Sequence, residues 1–203
     1  MHVIPTQEEV VRILRDTGAL REGHFIYPNG LHSNEYVQVP LALRHYQHAR
    51  TLSVGLSRLL RADPEIRAML SALSIVSPAV GGVPVAYGVC QALEARQVYW
   101  AEDSPRGQLR LRQFIQPVKD EPIVLVDDIL HSGGRLSRLK ALIEGFGAVV
   151  VAIAVVVYQP DPQTHDFGSL PIRHLARLEA SSFTDAASCE LCRKSQPAEE
   201  VWI

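Results

Sequence analysis

The chain has 203 residues, of which 47% are hydrophobic and 21% charged, and its formal net charge is −2 at pH 7. This composition predicts one soluble globular domain with a sizeable core, and the absence of a basic surplus argues against a general nucleic-acid-binding protein. No stretch approaches the 18 or so apolar residues that a membrane span needs. The N-terminus lacks the basic and apolar regions of a secretory signal, and three cysteines do not suggest a disulfide framework. We therefore expect a cytoplasmic protein without a membrane partner.

The N-terminal third predicts a helix, a hairpin and a second helix. Thr6 and Glu9 have the spacing of a capping box at the start of the first helix, and Gly18 supplies a stop. The turn signal Pro28-Asn29-Gly30 predicts a hairpin of two short strands, and a second helix is expected over about 45–61.

From Ser74 onward, strand and helix patterns alternate. The strands are predicted in "SIVS", "QVYW", "PIVLV" and "AVVVAIAVVVY", with an exposed ribbon in "LRLRQFI". This alternation predicts an α/β fold with a parallel central sheet flanked by helices. We expect a single domain over 1–203, divided into an N-terminal helix and hood (1–45), a core (46–160) and a C-terminal extension (161–203).

The most informative stretch is "IVLVDDILHSGG". Asp127 and Asp128 follow a buried strand, and 129–134 form a predicted loop that leads into a helix. Ligands of open α/β sheets bind at the carboxyl ends of the strands, and a helix N-terminus preceded by glycines favours a phosphate. The carboxylates repel phosphate and must face hydroxyls, a cation or a basic atom, so the segment predicts a sugar-phosphate site. Taken alone, it is equally compatible with an ordinary strand end and turn, and it matches neither a Walker loop nor a dinucleotide fingerprint.

Four segments resemble the orotate phosphoribosyltransferase family. "IVLVDDILHSGG" resembles the motif by which type I phosphoribosyltransferases bind phosphoribosyl pyrophosphate (PRPP), and "TGALREGHFIYPNGLHSNEYVQ" is similar to the family's N-terminal segment. "SPAVGGVPVAYGVCQAL" resembles its pyrophosphate loop, and "AEDSPRGQLRLRQF" its mobile catalytic loop. The segments keep the family order over roughly 17–157.

The resemblance implies a type I phosphoribosyltransferase fold with an N-terminal hood. It also implies the conversion of orotate and PRPP to orotidine 5′-monophosphate and pyrophosphate in pyrimidine biosynthesis, with Mg²⁺ bound through PRPP, and a homodimer. The residues implied in catalysis are Asp127, Asp128, Arg106 and Arg112. Those implied at the 5′-phosphate are Ile129, Leu130, His131, Ser132, Gly133, Gly134 and Arg135. Those implied at pyrophosphate are Ala79, Val80, Gly81 and Gly82, and those implied at the base are Phe25, Asn29, Ser33 and Tyr36.

Two segments depart from the family pattern. Arg135 stands where a hydroxyl residue usually follows the glycines, and the catalytic loop carries Glu102 and Asp103 with Arg106 as its cation. Loss of one transition-state charge contact typically costs about 3–4 kcal/mol. These departures leave two alternatives open, which are a regulatory protein that binds PRPP or a nucleotide without catalysis and a phosphoribosyltransferase for another base.

The C-terminal extension contains the Cys-x-x-Cys pair Cys189 and Cys192. Such a pair supplies two of the four ligands of a structural zinc ion, and His174 or the same pair of a second subunit could supply the others. The alternative is a pair of reduced thiols in a terminal turn. Cys90 lies in a predicted helix and is expected to pack in the core.

Overall fold

The computed structural model describes residues 4–105, 107–111, 115–179 and 181–201. The helices in these residues are α1 (Gln7–Asp16), α2 (Pro40–Leu43), α3 (Tyr46–Ala62), α4 (Pro64–Ala68), α5 (Gly82–Leu93), α6 (Gly134–Gly145) and α7 (Glu190–Arg193). The strands are β1 (Leu20–Ile26), β2 (His32–Val37), β3 (Ser74–Pro78), β4 (Gln97–Asp103), β5 (Leu109–Leu111), β6 (Pro122–Leu130), β7 (Val149–Tyr158), β8 (Ile172–Arg177), β9 (Ser182–Phe183) and β10 (Glu199–Glu200). Within the described ranges, no helix is both long enough and apolar enough to cross a bilayer.

The predicted N-terminal elements are confirmed. The Thr6 hydroxyl accepts a hydrogen bond from the Glu9 amide, and the Glu9 carboxylate accepts one from the Thr6 amide, which completes the capping box of α1. The hairpin of β1 and β2 turns at 28–31, where Gly30 has a φ of +82°. Such a φ is readily available to glycine, which explains the residue at this turn.

The predicted parallel sheet is confirmed and has the strand order β5-β4-β3-β6-β7-β8. All neighbouring strands are parallel except β5, which runs antiparallel to β4 at one edge. In β6, Val124 and Val126 pack in the core formed with α1, α3 and α5, whereas Ile123 and Leu125 pack in the core formed with α6. Burial on both faces explains the continuous apolar sequence of this strand.

A second sheet forms the hood and has the order β10-β1-β2-β9. Its central hairpin comes from the N-terminal segment, but both outer strands come from the C-terminal extension. The register pairs Phe25 with Glu199 on one side and Ser33 with Ser182 on the other. The two chain ends therefore build one structure, although they are far apart in the sequence.

Four local expectations were wrong. Strand β6 continues through both aspartates to Leu130, so the loop after it is shorter than 129–134. Strand β8 was not predicted. The ribbon was expected to be exposed, but Leu111 is buried in the part that the structure describes, which is β5, and 112–114 lie outside the described residues. The apolar pattern of 135–147 predicts Phe146 on the inner side of a helix, but Phe146 is 41% exposed because it lies at the C-cap of α6.

We predict that Gly88→Ala destabilises the protein. A Cβ at Gly88 in α5 would lie 2.7 Å from the Cβ of Ser53 in α3, so the two helices would have to separate. The collision should cost about 1–3 kcal/mol, which outweighs a helix-propensity gain of up to about 1 kcal/mol. Thermal unfolding should show the loss as a melting temperature lower by roughly 2–4 °C for each kcal/mol.

Gly145→Ala is the matched control, because a Cβ at this helical position meets nothing within 4 Å. Adding Ser53→Gly to Gly88→Ala should remove the collision and recover part of the melting temperature. Equal melting temperatures for Gly88→Ala and Gly145→Ala would contradict this account of the contact between α3 and α5.

Candidate active site

The candidate site lies where the connections of the central sheet change direction. From β3 the chain moves to β4 on one side, and it then returns to β6 and β7 on the other side of β3. The carboxyl ends of β3, β4 and β6 therefore open onto one edge of the sheet, with a crevice expected between β3 and β6. The loop 79–82, Asp103 and the segment 127–135 are all at this edge.

Asp127 and Asp128 lie near the carboxyl end of β6, beside the crevice. Asp127 is 7% exposed, and its Oδ1 accepts a hydrogen bond of 2.9 Å from the Asp128 amide. Burial raises the pKa of Asp127 well above its ordinary value, and the adjacent Asp128 carboxylate raises it further. Burial also raises the pKa of Asp128. A buried pair of like charges favours a retained proton or a nearby cation.

The loop after β3 lies directly against this acid pair. A Cβ at Gly82 would lie 2.5 Å from Oδ1 and 3.0 Å from Cα of Asp127, and one at Gly81 would lie 3.0 Å from both carboxylate oxygens of Asp128. The Ala79–Val80 peptide is cis, and Val80 is exposed. The structure thus brings the predicted pyrophosphate loop and the predicted catalytic carboxylates into contact, and only glycines fit between them.

The segment from His131 to Gly134 turns from β6 into the N-terminus of α6. Gly133 has a φ of +73°, and no side chain among the described residues caps this end of the helix. The exposed amides of a helix N-terminus, together with its partial positive charge, form a site suited to an anion.

The loop 161–165 holds this segment through hydrogen bonds to its backbone. The Thr164 hydroxyl donates to the His131 carbonyl at 2.8 Å, and the His165 amide donates to the Ser132 carbonyl at 2.9 Å. His131 Nδ1 lies 3.5 Å from a carboxylate oxygen of Asp161. This support could not be predicted, because 161–165 carries no recognisable motif.

Arg135 contacts the last residue of β4. Its guanidinium donates to Asp103 at 2.9 Å, and Arg138 lies 3.5 Å from the same carboxylate while it donates to the Gly107 carbonyl at 3.0 Å. Asp103, which the sequence showed only as an acid in the predicted catalytic loop, thus connects the end of β4 to the start of α6. Arg106 and Arg112 lie outside the described residues.

Three of the four predicted base-binding residues cluster in the hood. Phe25 pairs with Ser33 in the β1–β2 ladder, and the ring centroids of Phe25 and Tyr36 are 5.7 Å apart. Asn29 is separate from them at the exposed hairpin tip, where its Oδ1 accepts from the Leu31 amide.

One contact joins the hood to the central sheet beside the crevice. Gln159 follows β7, is 5% exposed and donates from its side-chain amide to a Glu35 carboxylate oxygen at 3.1 Å. Burial raises the pKa of Glu35. A buried glutamine after an apolar strand has no distinctive sequence pattern, so this contact between the hood and the central sheet was not predicted.

Cys189 and Cys192 lie beside two histidines of the hood hairpin. The ligand atoms of His24, His32, Cys189 and Cys192 all lie within 4.8 Å of one another. The suggestion that His174 completes this set was wrong, because His174 lies on β8 with its ring 5.4 Å from Tyr158. Two histidines eight positions apart in the hairpin were the available signal, but the sequence alone does not show that the tail returns to them.

The comparisons with known proteins agree with this geometry. The family model described as a phosphoribosyl transferase domain matches residues 66–169. The orotate phosphoribosyltransferase of Thermotoga maritima is 31% identical over 192 residues, which cover 94% of this chain and 96% of that protein. That of Thermus thermophilus is 31% identical over 193 residues, which cover 95% of this chain and all of that protein.

A solved structure shows the same fold. The crystal structure of orotate phosphoribosyltransferase from Aeropyrum pernix superposes with a TM-score of 0.64 at 18% sequence identity, covering 83% of this chain and 93% of that one. The predicted type I phosphoribosyltransferase fold is therefore confirmed. The extent and identity of the sequence matches show that this chain belongs to the orotate phosphoribosyltransferase family.

Proposed function

We propose that the protein transfers the phosphoribosyl group of PRPP to orotate, producing orotidine 5′-monophosphate and pyrophosphate. The observation that carries this proposal is the contact between a buried acid pair and a glycine loop, beside a helix N-terminus that suits an anion. The helix N-terminus suits an ester phosphate, the acid pair suits ribose hydroxyls, and the glycine loop suits a diphosphate.

The phosphate subsite is proposed at 131–135. The segment supplies backbone amides at the start of α6 and the Ser132 hydroxyl, and the 161–165 loop holds it in place. Ile129 and Leu130 belong to the end of β6, so their contribution is to position this turn rather than to contact the anion through side chains. Arg135 lies at the same helix end and is available to a phosphate if it exchanges Asp103 for the ligand.

The ribose is proposed to face Asp127 and Asp128. Carboxylates accept hydrogen bonds from hydroxyls and stabilise positive charge that develops on the ribose as pyrophosphate leaves. Ala79, Val80, Gly81 and Gly82 are proposed at pyrophosphate, where the lack of side chains at the glycines allows close approach. Positioning and electrostatic stabilisation account for most of such a reaction.

Mg²⁺ is proposed to enter with PRPP. It prefers oxygen ligands and usually retains water molecules and substrate phosphates in its shell, and it neutralises the charge of the leaving group. The half-buried Asp128 carboxylate could be an oxygen ligand of this ion, because the ionised group only accepts and lies next to the predicted pyrophosphate loop.

The base is proposed to bind next to the hood through Phe25, Ser33, Tyr36 and the hairpin tip at Asn29.

We also propose a cytoplasmic homodimer. Strand β5 is an edge of the central sheet, and such an edge offers unpaired backbone groups to a second subunit. The ribbon around 108–115 is the segment proposed at this interface. Sedimentation analysis of the purified protein measures the mass directly, and a monomer at the enzyme concentrations that show turnover would refute the dimer.

The first prediction from the proposed function concerns activity. With PRPP, Mg²⁺ and orotate, the wild-type protein should consume orotate, and Asp128→Asn should lower kcat at least about 100-fold through the loss of transition-state charge stabilisation. The fall in orotate absorbance measures both. Asp120→Asn is the control, because Asp120 is an exposed turn residue.

Equal turnover in the wild type and Asp128→Asn would contradict the assigned role. A wild-type protein that shows no turnover but is stabilised thermally by PRPP would favour the regulatory alternative. Turnover with a purine base and none with orotate would favour a phosphoribosyltransferase for another base.

The second prediction concerns stability against pH. Because the pKa of Asp127 is raised in the folded protein, the folded state binds more protons than the unfolded state above about pH 4, the ordinary range of an aspartate. The free energy of unfolding should therefore fall as pH rises through the raised pKa. Asp127→Asn removes this loss while it keeps an oxygen for the Asp128 amide.

Thermal unfolding at several pH values tests this. Asp127→Asn should melt above the wild type at pH 8, and the difference should vanish toward pH 4, whereas Asp120→Asn should follow the wild type throughout. An Asp127→Asn variant less stable than the wild type at pH 8 would mean that the ionised carboxylate stabilises the fold.

The third prediction separates two roles of Arg135. Its ion pair with Asp103 is exposed, with 47% and 36% of the side chains accessible, so Arg135→Ala should change the free energy of unfolding by less than about 1 kcal/mol. If Arg135 binds phosphate, this variant should raise the KM for PRPP. Arg138→Ala removes a contact to the same Asp103 carboxylate one turn further along the helix and should leave that KM close to the wild-type value.

Arg135→Thr restores a hydroxyl at this position and should recover part of the PRPP affinity that Arg135→Ala loses. Equal KM values for Arg135→Ala and Arg138→Ala would show that the arginines act only through Asp103.

A further inference from the structure

The strongest feature outside the candidate active site is the group of His24, His32, Cys189 and Cys192. Two of its members come from the hood hairpin and two from the C-terminal extension, at the start of α7. His24 and His32 are 3% and 5% exposed, and Cys189 is fully buried. Imidazole and thiolate groups at Cys-x-x-Cys spacing are the ligands of structural zinc sites.

Three distances between nitrogen and sulfur atoms match tetrahedral coordination of one ion. His24 Nε2 lies 3.6 Å from each of the two sulfur atoms, and His32 Nδ1 lies 3.5 Å from Cys192 Sγ. Zinc bonds of about 2.0–2.1 Å to nitrogen and about 2.3 Å to sulfur place N and S ligands at about 3.6 Å in a tetrahedron. The two histidine nitrogens are 2.9 Å apart, somewhat closer than the ~3.3 Å of such a tetrahedron, so the rings must separate slightly around an ion.

A hydrogen bond at Nδ1 of His24 shows which ring nitrogen is available to an ion. His24 Nδ1 lies 2.9 Å from the Gln196 carbonyl oxygen, which can only accept, so Nδ1 carries the proton. In the neutral imidazole, Nε2 then presents its lone pair to the other three residues. An imidazole that donates to a backbone carbonyl through its second nitrogen is the usual arrangement of a zinc-bound histidine.

We propose that these four residues form a structural zinc site that fastens the C-terminal extension to the hood. The two thiols bind as thiolates and release their protons to solvent, so the site takes a divalent ion with a preference for sulfur and imidazole ligands. The bulge in β1 between Glu22 and Phe25 contributes by setting His24 beside His32, with ring centroids 5.1 Å apart.

The site should also control the shape of the base pocket. His24 directly precedes Phe25, His32 directly precedes Ser33, and Phe25 and Ser33 are register partners in the hairpin. The extension that follows Cys192 then pairs β10 with Phe25 and Ile26, and Val201 packs against Phe25 and Tyr36. An ion that fixes the two histidines and the extension thereby fixes the backbone on which the base would bind.

The metal site rests on its own geometry, whereas its effect on the base rests on the proposed function. Wild-type protein purified under reducing conditions should contain about one zinc ion per chain by elemental analysis. After chelator treatment, added Co²⁺ should give thiolate charge-transfer absorption and the intense visible bands of tetrahedral cobalt. Cys192→Ser and His32→Gln should bind zinc at least about tenfold more weakly.

Two control variants change a cysteine and a histidine that lie outside the cluster. Cys90→Ser changes the remaining cysteine, which contacts the Ala95 carbonyl, and His45→Gln changes an exposed histidine. Both should retain full zinc content. Chelated wild type should melt at a lower temperature and recover on addition of zinc, and chelated Cys192→Ser should show no such recovery.

KM values measured with and without zinc test whether the metal site affects binding of the base. Removal of zinc should raise the KM for orotate several-fold more than the KM for PRPP, since the phosphate loop lies on the core sheet rather than the hood. Equal rises in both KM values would overturn the proposed effect of the metal site on the base pocket.

The outcomes also separate the two proposals. Wild-type protein without zinc and without tetrahedral cobalt bands would overturn the metal site, even if orotate is consumed. Stoichiometric zinc in a protein that does not consume orotate would retain the metal site and refute the proposed reaction. Zinc retained equally by Cys192→Ser, His32→Gln and the controls would place the ion elsewhere and overturn the site.

Discussion

The close approach of Gly82 to Asp127 is the constraint on which the site depends. No side chain fits between the loop after β3 and the carboxylate at the end of β6, because even a methyl group would lie 2.5 Å from Asp127 Oδ1. The approach buries one carboxylate and half-buries its neighbour, and burial raises the pKa of both. The fold therefore holds an unfavourable pair of acids at the point where the proposed reaction generates positive charge.

The rest of the molecule arranges partners around this pair. The short turn 131–133 joins β6 to α6, so the helix N-terminus lies at the same sheet edge as the acids. The Gln159–Glu35 contact joins the hood to this edge, and the ion pair of Arg135 with Asp103 joins the end of β4 to the start of α6. The hood in turn depends on the C-terminal extension, which supplies both of its outer strands.

The parts of this arrangement that follow from local chemistry could be predicted. The capping box at Thr6, the buried strand before Asp127 and the glycine turn into α6 each have a short-range cause, and each was found in the structure. The contacts that escaped prediction join residues far apart in the sequence. His24 and His32 look like ordinary strand residues until the extension brings the cysteines to them. The ion pairs of Asp103 were missed because its partners Arg135 and Arg138 lie on another element.

A crystal structure with orotidine 5′-monophosphate tests the central claim most directly. The account predicts the phosphate at the amides of 131–135, the ribose hydroxyls within hydrogen-bond distance of Asp127 or Asp128, and the base toward the hood hairpin. A nucleotide bound with its phosphate away from the start of α6, or with its ribose out of reach of both carboxylates, would contradict the account.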